Sequence, residues 1–277
     1  MGASSSASDR RFAGPVRLNG AELHAEWAGD GPALLFLHAG IADSRMWNVE
    51  FQAFAGSHRV IRFDTRGFGR SAMPPGRFAY HDDVAAVLQA AGCGSATVVG
   101  CSFGGNIAVD TYLASPAMVE RLVLVSAGLG AGDEVEEMQR FGEEEEALLE
   151  KGDLDAATEL NLRMWVDGPH RQPGQVNAGV RERVRVMQLD AFRLEMPAGV
   201  ERVRIEPPAR GRLGEIRVPT LAVVGALDVP FILDTAQEIE RNVPRAKRVL
   251  IPDAAHMVTM ERPEAFGSVL AEFLAPT

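Results

Sequence analysis

Apolar and polar positions fall in short blocks along this chain, and their period switches repeatedly between two and about 3.6 residues. Val16-Arg17-Leu18, Asn19-Gly20 and Ala21-Glu22-Leu23-His24-Ala25-Glu26-Trp27 keep period two on either side of an Asn-Gly pair, which predicts a β-hairpin. Ala33–Leu37 and Leu122–Val125 are short apolar runs that suit strands buried on both faces, and Arg59–Phe63, Ala96–Val99, Leu221–Val224 and Arg248–Ile251 read as further strands. Between them lie helical patterns. One is capped by Asp43 or Ser44 and runs to about Phe54. Another covers 80–91, with Val84, Val87, Leu88 and Ala91 on one face. Others cover about Asn106–Leu113, Ile232–Arg241 and a last helix opened by Pro263.

Strands alternating with helices predict an α/β fold with a mostly parallel sheet. The rhythm stops after Val125. From Gly128 to about Arg212 strand-like runs vanish and charged helical sequence takes over. The predicted division is a flexible tail at 1–12, one core domain from 13–129 and 213–277, and a helical insertion at 130–212. Within the insertion, Asp133–Asp155 is dense in acids and Arg181–Arg217 in arginine. Both read as solvated helix faces, with pairing between them left open.

Composition changes little. With 277 residues, 46% hydrophobic and 24% charged, the chain can bury one large core. A net charge of −10 argues against nucleic acid and anionic membranes as partners. No apolar run is long enough for a membrane helix. Two cysteines, Cys93 and Cys101, suggest a reducing, cytoplasmic setting. Met1-Gly2-Ala3-Ser4-Ser5-Ser6 lacks the apolar segment of a secretory signal. It matches M-G-x-x-x-S, but no polybasic second anchor follows, and a small-residue tail explains it equally well.

The candidate chemistry starts at Gly100-Cys101-Ser102-Phe103-Gly104-Gly105, a G-x-S-x-G motif between a strand and a helix. Such a turn brings backbones close together and lifts the Ser102 hydroxyl off the sheet edge. The plain alternative is a Gly-rich turn in which Ser102 caps the helix.

A serine hydroxyl needs a base, and the base needs an orienting group. In a parallel sheet, ligands bind at the loops after the strand C-termini. Of six histidines, His256, in the loop after the last strand, fits the base. His38 also follows a strand, but fits a structural role through ring hydrogen bonds. Asp228, in the loop after Leu221–Val224, fits the orienting acid, with Asp253 as the alternative. The resulting order Ser, Asp, His is the one expected for this strand–turn–helix setting. Oxyanion donors are expected at the N–H of Phe103 and in the His38-Ala39-Gly40-Ile41 loop, with Gly40 preferred over Ala39 or Ile41. Cys101 points into the body of the fold. No cofactor or metal is implied, since no Cys/His cluster at metal spacing and no Gly-rich phosphate loop occurs.

These residues carry a resemblance. His38-Ala39-Gly40, Asp64-x-Arg66-Gly67-x-Gly69-x-Ser71, the Ser102 motif, Gly225-x-x-Asp228, and His256 with Glu261-Arg262-Pro263-Glu264 resemble the α/β-hydrolase fold superfamily from about 15 to 275. Ser102 excludes members with an aspartate nucleophile. The chain resembles the lidded group of 3-oxoadipate enol-lactonases, small esterases and cofactor-free perhydrolases. The resemblance implies a mostly parallel eight-stranded sheet flanked by helices, with a helical lid after the sixth strand, here the 130–212 insertion. Two departures stand out: Ala39 where His-Gly is usual, and Phe103 where Met is common, which narrows the floor of the site.

The implied activity is hydrolysis of an ester or lactone bond of a small acyl substrate through an acyl-enzyme. Perhydrolysis or carbon–carbon bond hydrolysis by the same triad, and a slow ligand-binding receptor, are the alternatives. Trp165, Ile41 and Met257 are the candidate substrate-binding residues. The other apolar residues of the lid, Met138, Phe141, Met164, Met187, Phe192 and Met196, fit lid packing better than pocket wall. Homo-oligomerisation stays open.

Overall fold

The computed structural model describes residues 11–130 and 135–275. The first half of the chain runs β1 (Arg11–Leu18), β2 (Ala21–Ala28), β3 (Ala33–Leu37), α1 (Asn48–Phe54), β4 (Arg59–Phe63), β5 (Gly76–Phe78), α2 (Tyr80–Ala90), β6 (Ala96–Cys101), α3 (Phe103–Ala114) and β7 (Val119–Val125). The insertion follows with α4 (Glu136–Glu150), α5 (Leu154–Asn161), a π-helical turn (Leu162–Asp167), α6 (Ala178–Phe192) and β8 (Val200–Arg202). The chain closes with β9 (Thr220–Gly225), α7 (Pro230–Asn242), β10 (Ala246–Ile251), α8 (Val258–Glu261) and α9 (Pro263–Leu274).

Eight strands form the main sheet in the order β1-β2-β4-β3-β6-β7-β9-β10. β1/β2 and β2/β4 are antiparallel, and every other neighbour pair is parallel. The opening hairpin turns at Asn19 and Gly20, both with positive φ (47° and 76°), as a type I′ turn requires. The insertion leaves after β7, the sixth strand of this sheet in chain order.

β3, β6 and β9 are buried along their whole length, which is why they read as unbroken apolar runs. Alternate residues feed two cores. Leu35, Leu37, Val98, Leu122 and Leu124 pack on one face with Val84 and Leu88 of α2 and Ile107 of α3. Leu34, Phe36, Val99, Val123 and Val125 pack on the other with Trp47, Phe51 of α1 and Phe266 of α9. Phe36 and Trp47 meet at 5.0 Å between ring centres.

Two features differ from the sequence expectation. The predicted tail lies outside the described residues except Arg11 and Phe12, which already belong to β1; Phe12 stacks on Trp27 at 4.2 Å. The insertion also contains a strand: β8 pairs in parallel with β5, Gly76 to Val200 and Phe78 to Arg202, and returns the chain to the body. The segregated charges do pair in places. Arg185 of the arginine-dense stretch reaches Asp155 of the acidic one at 3.1 Å.

Candidate active site

The site stands at the C-terminal edge of the parallel strands. Ser102 joins β6 to α3 with φ 51° and ψ −112°, a left-handed conformation that costs about 1–3 kcal/mol and persists only where its surroundings enforce it. They do so by close approach. A Cβ on Gly100 would lie 2.2 Å from the Gly104 carbonyl oxygen, and one on Gly104 would lie 2.3 Å from that of Leu37. The Ser102 N–H donates to the Val125 carbonyl at 2.8 Å. Its side chain makes no helix-capping hydrogen bond, which removes the plain reading of Ser102 as a cap.

Asp228 and His256 come together from the ends of β9 and β10. His256 Nδ1 lies 3.0 Å from Asp228 Oδ2 and 3.1 Å from Oδ1, with both side chains almost fully buried. The Val229 N–H also donates to Asp228 Oδ1 at 2.8 Å. An ionised carboxylate only accepts, so Nδ1 carries the proton and Nε2 is left as the basic nitrogen. Asp253 is 80% exposed and its nearest cation is Arg262 at 3.8 Å; it does not orient the imidazole.

Gly40 and Phe103 are neighbours: a Cβ on Gly40 would sit 3.5 Å from that of Phe103. Phe103 opens α3, so its N–H has no acceptor within the helix. The Ala39 N–H donates to Met46 Sδ at 3.3 Å, which takes it out of the candidate donors. His38 braces the loop. Its Nε2 accepts the Thr65 N–H at 2.9 Å, and its Nδ1 donates to the Ala39 carbonyl at 2.8 Å. Burial pushes its ring below the usual imidazole range, in keeping with a neutral ring that accepts at Nε2.

The Asp64–Ser71 stretch is a second brace. Asp64 accepts the N–H groups of Ser44 and Arg70, each at 2.9 Å, and Arg66 forms a buried pair with Asp83 at 2.5 Å. Burial, with the Asp228 and Glu50 carboxylates nearby, pushes the Cys101 thiol up, so it presents no thiolate.

A cleft of about 430 Å³ opens beside Ser102, walled by Asn106, Met138, Phe141, Trp165 and Phe231 among others. Of the three residues expected to line it, Trp165 does. Met257 is fully buried in the core with Trp47 and Phe266, and Ile41 is buried in that core as well. Met138 and Phe141, expected as lid packing, are on the wall, whereas Met187 is core and Met196 is 66% exposed. Sequence reasoning missed Phe231 and Asn106. The available signal was position: Phe231 opens the helix after the acid loop, and Asn106 is one helical turn beyond Ser102. Another cavity, of about 360 Å³ between the hairpin turn and α2, contains none of the candidate catalytic side chains.

A mostly parallel sheet that places serine, carboxylate and imidazole in the loops after β6, β9 and β10, at one edge, has the layout of a hydrolase. Residues 32–263 match the family described as alpha/beta hydrolase fold, and the chain belongs to that family. Among its relatives, a putative carbamate hydrolase, RutD, of Agrobacterium fabrum is 26% identical over 264 residues, covering 92% of this chain and 97% of the relative. The pimeloyl-[acyl-carrier protein] methyl ester esterase of Nitrosomonas europaea is 27% identical over 253 residues, covering 90% and 98%. A solved N-acyl homoserine lactone degrading enzyme superposes with a TM-score of 0.75 at 26% identity, covering 94% of this chain and all of the other. Among the described residues, no helix is long and apolar enough to cross a membrane.

Proposed function

We propose that the protein is a serine hydrolase that cleaves an ester or lactone bond of a small molecule through an acyl-enzyme. The observation that carries this reading is the buried Asp228–His256 pair beside a cleft that also contains Ser102. Relatives named as a methyl ester esterase and a lactone degrading enzyme support the bond class.

In this reading Ser102 Oγ attacks the acyl carbon while His256 Nε2 takes its proton. The imidazolium that forms is stabilised by Asp228, which also fixes the tautomer. The N–H groups of Phe103 and Gly40 receive the oxyanion; one such donor typically lowers the barrier by about 3–4 kcal/mol. His256 returns the proton to the leaving alcohol, then activates water to release the acyl group. The largely apolar wall of Met138, Phe141, Trp165 and Phe231 suits an apolar acyl or alcohol portion. The unpaired Cys93 and Cys101 suit a reducing compartment such as the cytoplasm.

The test is a fluorophosphonate probe with mass analysis, run beside turnover of p-nitrophenyl esters and simple lactones. Labelling at Ser102, with turnover abolished in Ser102→Ala, is expected. A Ser102→Ala protein that still hydrolyses its best ester at wild-type rate overturns the reading.

A further inference from the structure

We infer that the π-helical turn of the lid, Leu162–Asp167 with Gly168 and Arg171 behind it, is a positioning element for the Asp228–His256 pair and not only a roof over the cleft. The inference rests on the reading of Asp228 and His256 proposed above.

Two independent contacts carry it. The first is steric. The turn closes through the Gly168 N–H on the Arg163 carbonyl at 3.1 Å, a span of five residues. Gly168 has φ 71°, and a Cβ there would lie 2.8 Å from the Leu227 carbonyl oxygen and 3.0 Å from Ala255 Cβ. Leu227 immediately precedes Asp228, and Ala255 immediately precedes His256. The end of the lid turn is therefore wedged against both loops at once, at a separation only glycine allows. Those loops also hold each other, through the Leu227 N–H on the Ala254 carbonyl at 2.9 Å.

The second contact is a buried bridge. All three Arg171 nitrogens donate, each to a different acceptor: Nε to the Asp167 carbonyl at 2.9 Å, Nη2 to the Val166 carbonyl at 2.7 Å, and Nη1 to Glu261 Oε2 at 2.6 Å. The other Glu261 oxygen accepts the Ala255 N–H at 2.8 Å. One guanidinium and one carboxylate thus join the lid turn to the backbone next to His256. Their side chains are only 12% and 5% exposed, so water does not substitute readily for either partner. The turn is itself anchored in the lid: the Asp167 carboxylate, fully buried, accepts Arg163 Nη1 at 2.8 Å and Arg181 Nε at 3.0 Å. The same turn carries Trp165, whose ring lies against His256.

A lid that served only as substrate wall would act on binding. A lid that sets the Asp–His geometry acts on the transition state, where small misplacements matter; 1 Å can cost about 10²-fold. Kinetics of p-nitrophenyl acetate hydrolysis on purified Arg171→Met, Arg171→Lys and Glu261→Gln, each checked for native near-ultraviolet dichroism, separate the two. The expected result for Arg171→Met is a fall in kcat of about 30- to 100-fold with KM within about threefold. Arg171→Lys recovers about tenfold of that, because an ammonium still donates to Glu261 and one carbonyl. A folded Arg171→Met with wild-type kcat, or with raised KM and unchanged kcat, overturns the inference.

Should Arg171→Met not fold, Glu261→Gln carries the test. It keeps an acceptor for the Ala255 N–H and loses the charge facing Arg171. A kcat lowered at least threefold is expected, and an unchanged kcat overturns the inference. Ser102→Ala is measured in parallel. If it stays active, the serine mechanism fails. If it is inactive while the bridge variants turn over normally, the mechanism stands and the positioning role falls.

Discussion

The indole of Trp165 lies over the imidazole of His256, with 4.6 Å between ring centres and 44° between planes. Trp165 also meets Phe141 and Phe231 edge-on, at 5.7 and 6.3 Å. A single side chain of the insertion therefore meets the proposed base and two aromatic rings of the apolar wall. Trp165→Ala removes that wall and one face of the base's packing. We expect KM for p-nitrophenyl butyrate to rise about tenfold and longer or branched acyl chains to be accepted relatively better. An unaltered acyl-chain profile would assign Trp165 to lid packing alone.

The tautomer argument makes Asp228 testable apart from Asp253. Asp228→Asn leaves the shape intact but offers an amide where Nδ1–H needs an acceptor, and kcat should fall by about 10³- to 10⁴-fold. Asp253→Asn, at an exposed side chain, should stay within about twofold. Equal losses in the two variants would argue against Asp228 as the orienting acid.

The glycines flanking Ser102, Gly100 and Gly104, are fixed by neighbouring backbone. In Gly104→Ala the new Cβ would meet the Leu37 carbonyl carbon and oxygen at 2.6 and 2.3 Å, in a fully buried strand. The expected cost is about 3 kcal/mol or more, read by urea unfolding. Gly267, inside α9 with nothing within 4 Å of its Cβ direction, gives the opposite sign. Gly267→Ala should stabilise by about 0.5–1 kcal/mol.

Glu50 of α1 is buried, and neither carboxyl oxygen has a side-chain partner. Burial pushes its pKa up to about 8. In the unfolded chain it ionises near 4.5. Between those values the folded state holds a proton that the unfolded state has lost, so stability falls as pH rises, by about 1.4 kcal/mol per unit for this group alone. The contribution is complete below about pH 4.5 and gone above about pH 8. Glu50→Gln, already neutral, should show a flatter profile of Tm against pH across that window, and a higher Tm than the parent at pH 8.5. Parallel profiles for the two proteins would refute the account.

Much of this arrangement is legible in the sequence, for local reasons. Asn19-Gly20 dictates the hairpin turn, strands buried on both faces must be apolar throughout, and Gly100, Gly104 and Gly105 mark close approaches that no side chain survives. The meeting of Asp228 and His256 is legible because strand ends share one edge of a parallel sheet. What stayed illegible depends on partners distant in the chain. Val200-Glu201-Arg202 is too short and too polar to announce a strand, and becomes one only against Gly76–Phe78. The π turn at Leu162–Asp167 needs Arg181 and Arg171 to hold its end. Met257, expected at the cleft, directly follows His256, but successive loop side chains diverge, and this one fills the core beside Trp47.

The ladder between β5 and β8 has a consequence for how the molecule assembles. It joins segments separated by β6, β7 and nearly all the insertion, so no local stretch can nucleate it. The strands that carry Ser102, Asp228 and His256 pair without it. The connectivity therefore divides the labour: the candidate reactive groups belong to one framework, while the walls of the cleft are threaded over it and fastened by a ladder of their own. Sequence change in the insertion can redraw the walls without rebuilding the framework, provided the fastening ladder and the turn at Gly168 are kept.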